Sequence, residues 1–211
     1  MQIDSWSKII FMHIPRTGGS WFGYSWYANK DHTGPVSYIR NKYLINNLNK
    51  KYVACGKHGK IKGILEKLHK IEADVSDYKI ITLVREPLDR VISSWRWFRY
   101  VKGTAKKHGW KTIDGMLDDM EKGRVRANYM PQTDWLCEPG AKFHHVFRFE
   151  DLLKNVNVVD KIFPRFTPNN KLRRSGEKIK LTNKQIDRIK DLYSSDFKYL
   201  KPWYSHLNIN K

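Results

Sequence analysis

The chain has 211 residues, 40 of them Lys or Arg and 21 Asp or Glu, which leaves a formal charge of +19 at neutral pH. With 40% hydrophobic and 13% aromatic residues, and only 13 Gly and 8 Pro, it has the apolar side chains for a packed core and is neither a disordered nor a fibrous sequence. No run of about 18 apolar residues marks a membrane span, the first residues lack a secretory-signal pattern, and two cysteines, Cys55 and Cys137, exclude a disulfide-rich scaffold and a thiolate-rich zinc site.

No repeat, low-complexity tract or Pro/Gly/Ser-rich linker divides the sequence, so residues 1–211 read as a single domain. Lys8 to His13 is a short apolar run ended by Pro15 and Gly18-Gly19, and Trp21 to Trp26 then allow a helix. Tyr52 to Gly56 reads as a second strand, followed by Ile61, Ile64, Leu65 and Leu68 at helical spacing. Lys79 to Val84 is a third, β-rich strand, and Pro87 suits the first turn of a helix through about Tyr100. Phe143 to Phe149 alternates as a strand, Glu150-Asp151 suits the start of the next helix, and Thr182 to Tyr193 is an amphipathic helix with a Thr cap. This alternation predicts an α/β fold whose central, mostly parallel sheet is flanked by helices. Ligands of such sheets bind beyond the carboxyl ends of the strands, which directs attention to Pro15 to Ser20, Lys57-His58 and Arg85 to Asp89.

His13-Ile14-Pro15-Arg16-Thr17-Gly18-Gly19-Ser20 sets two glycines and two hydroxyls between a strand and a helix. Backbone N–H groups and the helix dipole can hold a phosphate or sulfate there, and Arg16 can add a charged fork; a plain Gly turn also fits the residues. The loop is not a nucleotide-kinase P-loop, which needs four residues between its glycines and then Lys-Ser/Thr. In Arg85-Glu86-Pro87-Leu88-Asp89-Arg90-Val91-Ile92-Ser93-Ser94-Trp95, an Arg at the strand exit and a Ser further along the helix offer a second anion site. Ser93 lies roughly 9 Å along the helix axis from Pro87, so that anion would lie beside the helix. The alternative is an Arg85 held by Glu86 or Asp89 in a surface network.

Together these segments resemble the 5′-phosphosulfate loop and the 3′-phosphate segment of carbohydrate sulfotransferases, the nearest likeness being to the heparan sulfate 6-O- and 2-O-sulfotransferase group and its microbial relatives. Weaker echoes run through Tyr129 to Gln132, Phe147 to Leu152 and Asp191 to Phe197, so the resemblance covers most of the chain in order. It implies a three-layer, P-loop-like α/β fold and 3′-phosphoadenosine 5′-phosphosulfate (PAPS) as donor, released as adenosine 3′,5′-bisphosphate. Carried over by position, Arg16, Thr17, Gly18, Gly19, Ser20 and Trp21 bind the donor's 5′ end, and Arg85 and Ser93 its 3′-phosphate. Lys171-Leu172-Arg173-Arg174-Ser175-Gly176 resembles, more loosely, the basic loop that relatives fold over the nucleotide, which adds Arg173, Arg174 and Ser175. The family usually has Lys where Arg16 stands; the charge is kept, but a planar fork replaces a compact ammonium.

Sulfuryl transfer needs a base for the acceptor hydroxyl, and His titrates closest to neutral pH. His58, just past the second predicted strand, stands where similar relatives carry their catalytic His; by the residues alone, a lone His in a basic loop is more often simply solvated. His58 and Arg16 are thus the expected catalytic pair. His13 is expected to pack against or orient the Gly loop, and no paired carboxylates are placed to hold a metal. The expected partner is a carbohydrate acceptor, acidic glycans included, with no specific nucleic acid.

Residues 49–70 hold seven Lys and one Glu, and residues 171–184 six Lys plus Arg and one Glu. Both runs fit an anionic ligand, or simply a solvated face. Trp95, Trp97, Trp110 and Trp135 are candidates for sugar-stacking platforms or for the core. The net charge alone also fits a nucleic-acid-binding module without catalysis, although no helix-turn-helix, zinc-finger or RNA-binding motif occurs; a kinase is disfavoured by the missing Lys-Ser/Thr pair. Animal members of the group are Golgi-anchored, whereas this sequence opens without an anchor pattern, so a cytoplasmic setting is expected, a removed anchor being the alternative.

Overall fold

The computed structural model describes residues 2–4, 8–27, 43–44, 52–53, 59–70, 74–101, 104–124, 129–139, 141–154 and 179–204. The chain divides into two compact units, Met1–Val84 with Trp135–Arg173 and Arg85–Asp134 with Arg174–Lys211.

The first unit is α/β. Four strands, β1 (Gln2–Asp4), β2 (Ile9–Met12), β5 (Lys79–Val84) and β6 (His145–Arg148), form a sheet in the order β1-β2-β5-β6. β1 pairs antiparallel with β2, Ile3 facing Ile10, while β2, β5 and β6 run parallel, with Met12 opposite Thr82 and Val84 opposite Arg148. Every residue of β2 and all of β5 except Lys79 are buried. Strands covered on both faces lose the alternation of a half-exposed sheet, and so these two appear in the sequence as unbroken apolar runs. Ile9, Phe11, Ile81, Leu83 and Phe147 share one face and pack with Trp21 and Phe22 of α1 (Gly19–Tyr27) and with Leu152. On the other face the buried Thr82 hydroxyl donates to the Met12 carbonyl at 2.8 Å, which satisfies the polar group that β5 buries there.

The expected strand at Tyr52 to Gly56 takes a different place. Its described part, β4 (Tyr52–Val53), pairs antiparallel with β3 (Tyr43–Leu44) in a separate two-stranded sheet. The helix expected after it is present as α2 (Ile61–Lys70), which buries Ile61, Ile64 and Leu68 and whose Lys62 N–H donates to Glu138 Oε2 at 2.9 Å. Just before β6, His144 extends the ladder: its N–H donates to the Ile80 carbonyl at 2.7 Å, and its Nδ1 accepts the Ile80 N–H at 2.9 Å. A ring nitrogen that accepts a strand amide is taken out of use as base or ligand. The strand predicted to reach Phe149 stops at Arg148, because Phe149 opens α7 (Phe149–Lys154) with Glu150 and Asp151 in its first turn.

The second unit is helical. α3 (Pro87–Arg96) begins with Pro87 at its first position and with Glu86 as cap, the Glu86 carboxylate accepting the Asp89 N–H at 2.7 Å. A π-helical turn, Trp97–Val101, replaces the last turn that the sequence predicted for this helix. α4 (Thr104–Lys107), α5 (Ile113–Glu121) and α6 (Thr133–Leu136) follow, and α6 runs into the first unit. α8 (Asn183–Leu192) starts at the expected Thr182 cap with a complete capping box, Thr182 Oγ1 accepting the Gln185 N–H and Gln185 Oε1 accepting the Thr182 N–H; α9 (Ser194–Leu200) follows. Phe98, Trp110 and Tyr129 form a buried aromatic cluster, and Trp110 Nε1 donates to Asp119 at 2.9 Å. No helix among the described residues is long and apolar enough to cross a membrane.

Candidate active site

The parallel register brings the carboxyl ends of β2, β5 and β6 to one edge of the sheet. From that edge, the chain after β2 enters a tight loop and then α1, whose ladder begins with the Phe22 N–H on the Gly18 carbonyl at 3.0 Å. The main-chain N–H groups ahead of that first bond belong to a helix N-terminus, where the dipole favours anions.

The loop is built to close tolerances. Arg16 sits at φ 68° and Gly18 at φ 90°, both in the left-handed region. For Arg16 this is a strained conformation, of the kind that persists where surrounding structure imposes it. A Cβ on Gly18 would clash with the Phe149 ring, and one on Gly19 with the His13 imidazole. The two glycines are thus required by packing inside the protein: His13 and Phe149 brace the loop from within. His13 is buried and stacks on Phe11, as expected for a residue that orients the loop. Phe149 also meets Trp21 edge-on at 5.9 Å between ring centroids.

Thr17 is fully buried, and its hydroxyl donates to the Ile14 carbonyl at 2.9 Å, so that hydroxyl shapes the loop and only the main chain of Thr17 remains for an anion. Trp21 is buried as well, whereas Ser20 is exposed and Arg16 half-buried. The echo at Phe147 to Leu152 is explained by the same architecture: Phe147 and Leu152 lie in the core, Arg148 Nε pairs with Asp151 at 3.2 Å, and Phe149 backs the loop. Sequence reasoning took these residues as a family echo and did not identify their support of Gly18.

In the second unit, Arg85 is half-buried and its main chain is clamped. The Arg85 N–H donates to Gln132 Oε1 at 2.9 Å, and Gln132 Nε2 donates to the Arg85 carbonyl at 2.8 Å. The two serines of α3 divide their roles. Ser94 is buried, with its hydroxyl donating to the Arg90 carbonyl at 3.0 Å, while Ser93 lies on the half-exposed side of the helix. Arg90 is buried with its guanidinium 5.9 Å from the centre of the Tyr193 ring. Burial pulls its pKa below the ordinary Arg value, while Tyr193, Asp196 and Asp134 act in the opposite sense. Arg85 and Ser93 are therefore the half-buried members of the two Arg and Ser pairs in this motif, and Arg90 and Ser94 the buried ones that anchor it.

Of the remaining expected site residues, His58, Arg173, Arg174 and Ser175 lie outside the described residues, as does Cys55. Trp95, Trp110 and Trp135 are buried and belong to the core; Trp97 is half-exposed.

No curated protein matches the chain. The model of the sulfotransferase family matches residues 1–205, and with nearly the whole sequence covered, this chain belongs to that family.

Proposed function

We propose that the chain transfers the sulfuryl group of PAPS to a hydroxyl of a carbohydrate, acidic glycans included, using residues 1–211 as one P-loop-like, three-layer catalytic domain of the heparan sulfate 6-O-/2-O-sulfotransferase type. The observation that carries this reading is the element at residues 9–27. A buried parallel strand ends in a strained, internally braced loop that delivers Arg16 and the start of α1 to the carboxyl edge of the sheet. The donor set suits a phosphosulfate: a helix N-terminus, the exposed Ser20 and the half-buried Arg16 are hydrogen-bond donors to anions.

When bound, PAPS supplies the group transferred and departs as adenosine 3′,5′-bisphosphate. Arg16 and the main chain from Thr17 to Trp21 would grip the 5′ end and balance the negative charge that grows on the departing phosphate. Arg85 and Ser93 would hold the 3′-phosphate, and Arg173, Arg174 and Ser175 would cover the nucleotide. An imidazole nitrogen of His58 would take the acceptor proton as the new O–S bond forms. Cationic side chains and oriented amides fill the part that magnesium plays in phosphoryl transfer, and the reading assigns no metal.

Incubation with radiolabelled PAPS and a panel of neutral and acidic glycans tests the proposal, with Arg85→Ala and His58→Ala run alongside. Label should pass to a glycan with the wild-type chain and not with His58→Ala. A wild-type chain that fails to bind adenosine 3′,5′-bisphosphate overturns it.

A further inference from the structure

The clamp on Arg85 extends deep into the helical unit. Gln132 is fully buried, and both ends of its side-chain amide are engaged by the Arg85 main chain. A third and a fourth bond go to Asp196 Oδ2: the Gln132 main-chain N–H donates to it at 2.9 Å and Nε2 approaches it at 3.4 Å. The other carboxylate oxygen, Oδ1, accepts the Thr133 N–H at 2.9 Å and the Thr133 hydroxyl at 3.1 Å. Asp196 is itself fully buried at the start of α9.

This arrangement admits one orientation of the amide. Turning it over would set the Gln132 oxygen against two acceptors, the Arg85 carbonyl and Asp196, and its NH₂ group against the Arg85 N–H. All the groups that reach Asp196 are donors, which suits an ionised carboxylate. Burial is the strongest influence on it and leaves its pKa above the ordinary carboxylate value, with Arg90 and the bonds from Gln132 and Thr133 pulling the other way. Where strand pairing stops, a side-chain amide does for the Arg85 main chain what a neighbouring strand would do, satisfying its N–H and its carbonyl together.

We infer that Gln132, held by Asp196, is a positioning residue that fixes the Arg85 main chain and thereby aims its guanidinium at the donor's 3′-phosphate. The inference rests on the reading of Arg85 as a 3′-phosphate ligand. Fixing the backbone at Arg85 restricts the arcs that its long, flexible side chain explores, and a misplacement of about 1 Å in a charged contact is costly.

The test is the preference for adenosine 3′,5′-bisphosphate over AMP, measured calorimetrically, because the two ligands differ only in the 3′-phosphate. Gln132→Met keeps the volume and removes the amide, and it should lower the preference by about tenfold while AMP affinity stays within about twofold. Gln132→Asn, which keeps an amide on a shorter stem and burdens folding less, should give a smaller loss of the same kind. In an Arg85→Ala background, neither change should lower the preference further. A wild-type preference retained in folded Gln132→Met or Gln132→Asn overturns the inference and leaves the donor reading standing, as does an equal loss for both ligands. A wild-type chain with no preference for the 3′-phosphate overturns both.

Discussion

The imidazole of His13 fills the space beside Gly19 that any larger residue there would need, its Cδ2 and Nε2 atoms lying where a methyl group would be placed. His13 is buried at the end of β2, so it has little room to yield. Gly19→Ala should therefore destabilise the chain by about 1–3 kcal/mol through overpacking, and His13→Ala in the same protein should recover part of that loss. Gly18→Ala should cost more, because φ 90° is unfavourable for alanine and the Phe149 ring also blocks the added carbon. Thermal unfolding of the four proteins orders these effects; a Gly19→Ala protein as stable as wild type removes the packing explanation.

Arg16 combines a functional charge with backbone strain. A left-handed conformation costs a non-glycine residue roughly 1–2 kcal/mol, and Gly at the same position relieves most of it. If Arg16 neutralises the leaving phosphate, Arg16→Gly should lower kcat at least about tenfold without lowering Tm, a separation of activity from stability that a purely structural residue does not produce. Arg16→Lys, which supplies the family's usual residue, should retain most of the activity. A fall in Tm together with kcat in Arg16→Gly would count against the assignment.

The strands and caps were readable because their causes are local. β2 and β5 are unbroken apolar runs, Pro87 marks the start of α3, and Thr182 marks the cap of α8. What escaped depends on partners distant in the chain. Nothing near residues 52–53 shows that they pair with residues 43–44, and the Gln132 clamp joins positions 47 residues apart. The glycine pair was read as an anion cradle from its neighbours in sequence. Its need for glycine comes from His13 and Phe149, the second of which reaches the loop only because β6 lies parallel to β5. The buried tryptophans were ambiguous for a related reason: aromatic residues serve cores and sugar platforms alike, and only burial separates the two.

Ser93 and Ser94 offer an internal control. Both sit in α3, but the Ser94 hydroxyl is buried on the Arg90 carbonyl, while Ser93 is half-exposed. Ser93→Ala should weaken adenosine 3′,5′-bisphosphate binding by about threefold to tenfold, the worth of one hydrogen bond to a charged oxygen, with stability nearly unchanged. Ser94→Ala should leave that affinity intact and shift stability by no more than about 1 kcal/mol. Equal effects on binding from the two changes would remove Ser93 from the proposed 3′-phosphate site.

Arg188 on α8 joins three carboxylates of α5: its Nε and Nη2 meet Glu121 at 2.7 and 2.8 Å, Nη2 reaches Asp118 at 2.5 Å, and Nη1 reaches Asp114 at 3.2 Å. The carboxylates are 44–52% exposed, so water and salt screen each pair, and the bidentate geometry on Glu121 is what lifts the cluster above an ordinary surface bridge. Hydrogen bonding from Arg188 holds the Glu121 carboxyl below its ordinary pKa of 4.5. A carboxyl whose pKa is lowered by folding contributes stability that is complete above the unfolded value and is lost as pH falls through the folded one. Arg188→Met, which keeps the aliphatic stem, should therefore destabilise the chain by about 1 kcal/mol near neutral pH, and the gap to wild type should close as the pH is taken from about 5 down to 3. Urea unfolding of both proteins across that range measures the gap, and one that stays constant with pH would show that Arg188 acts through packing and not through its charge.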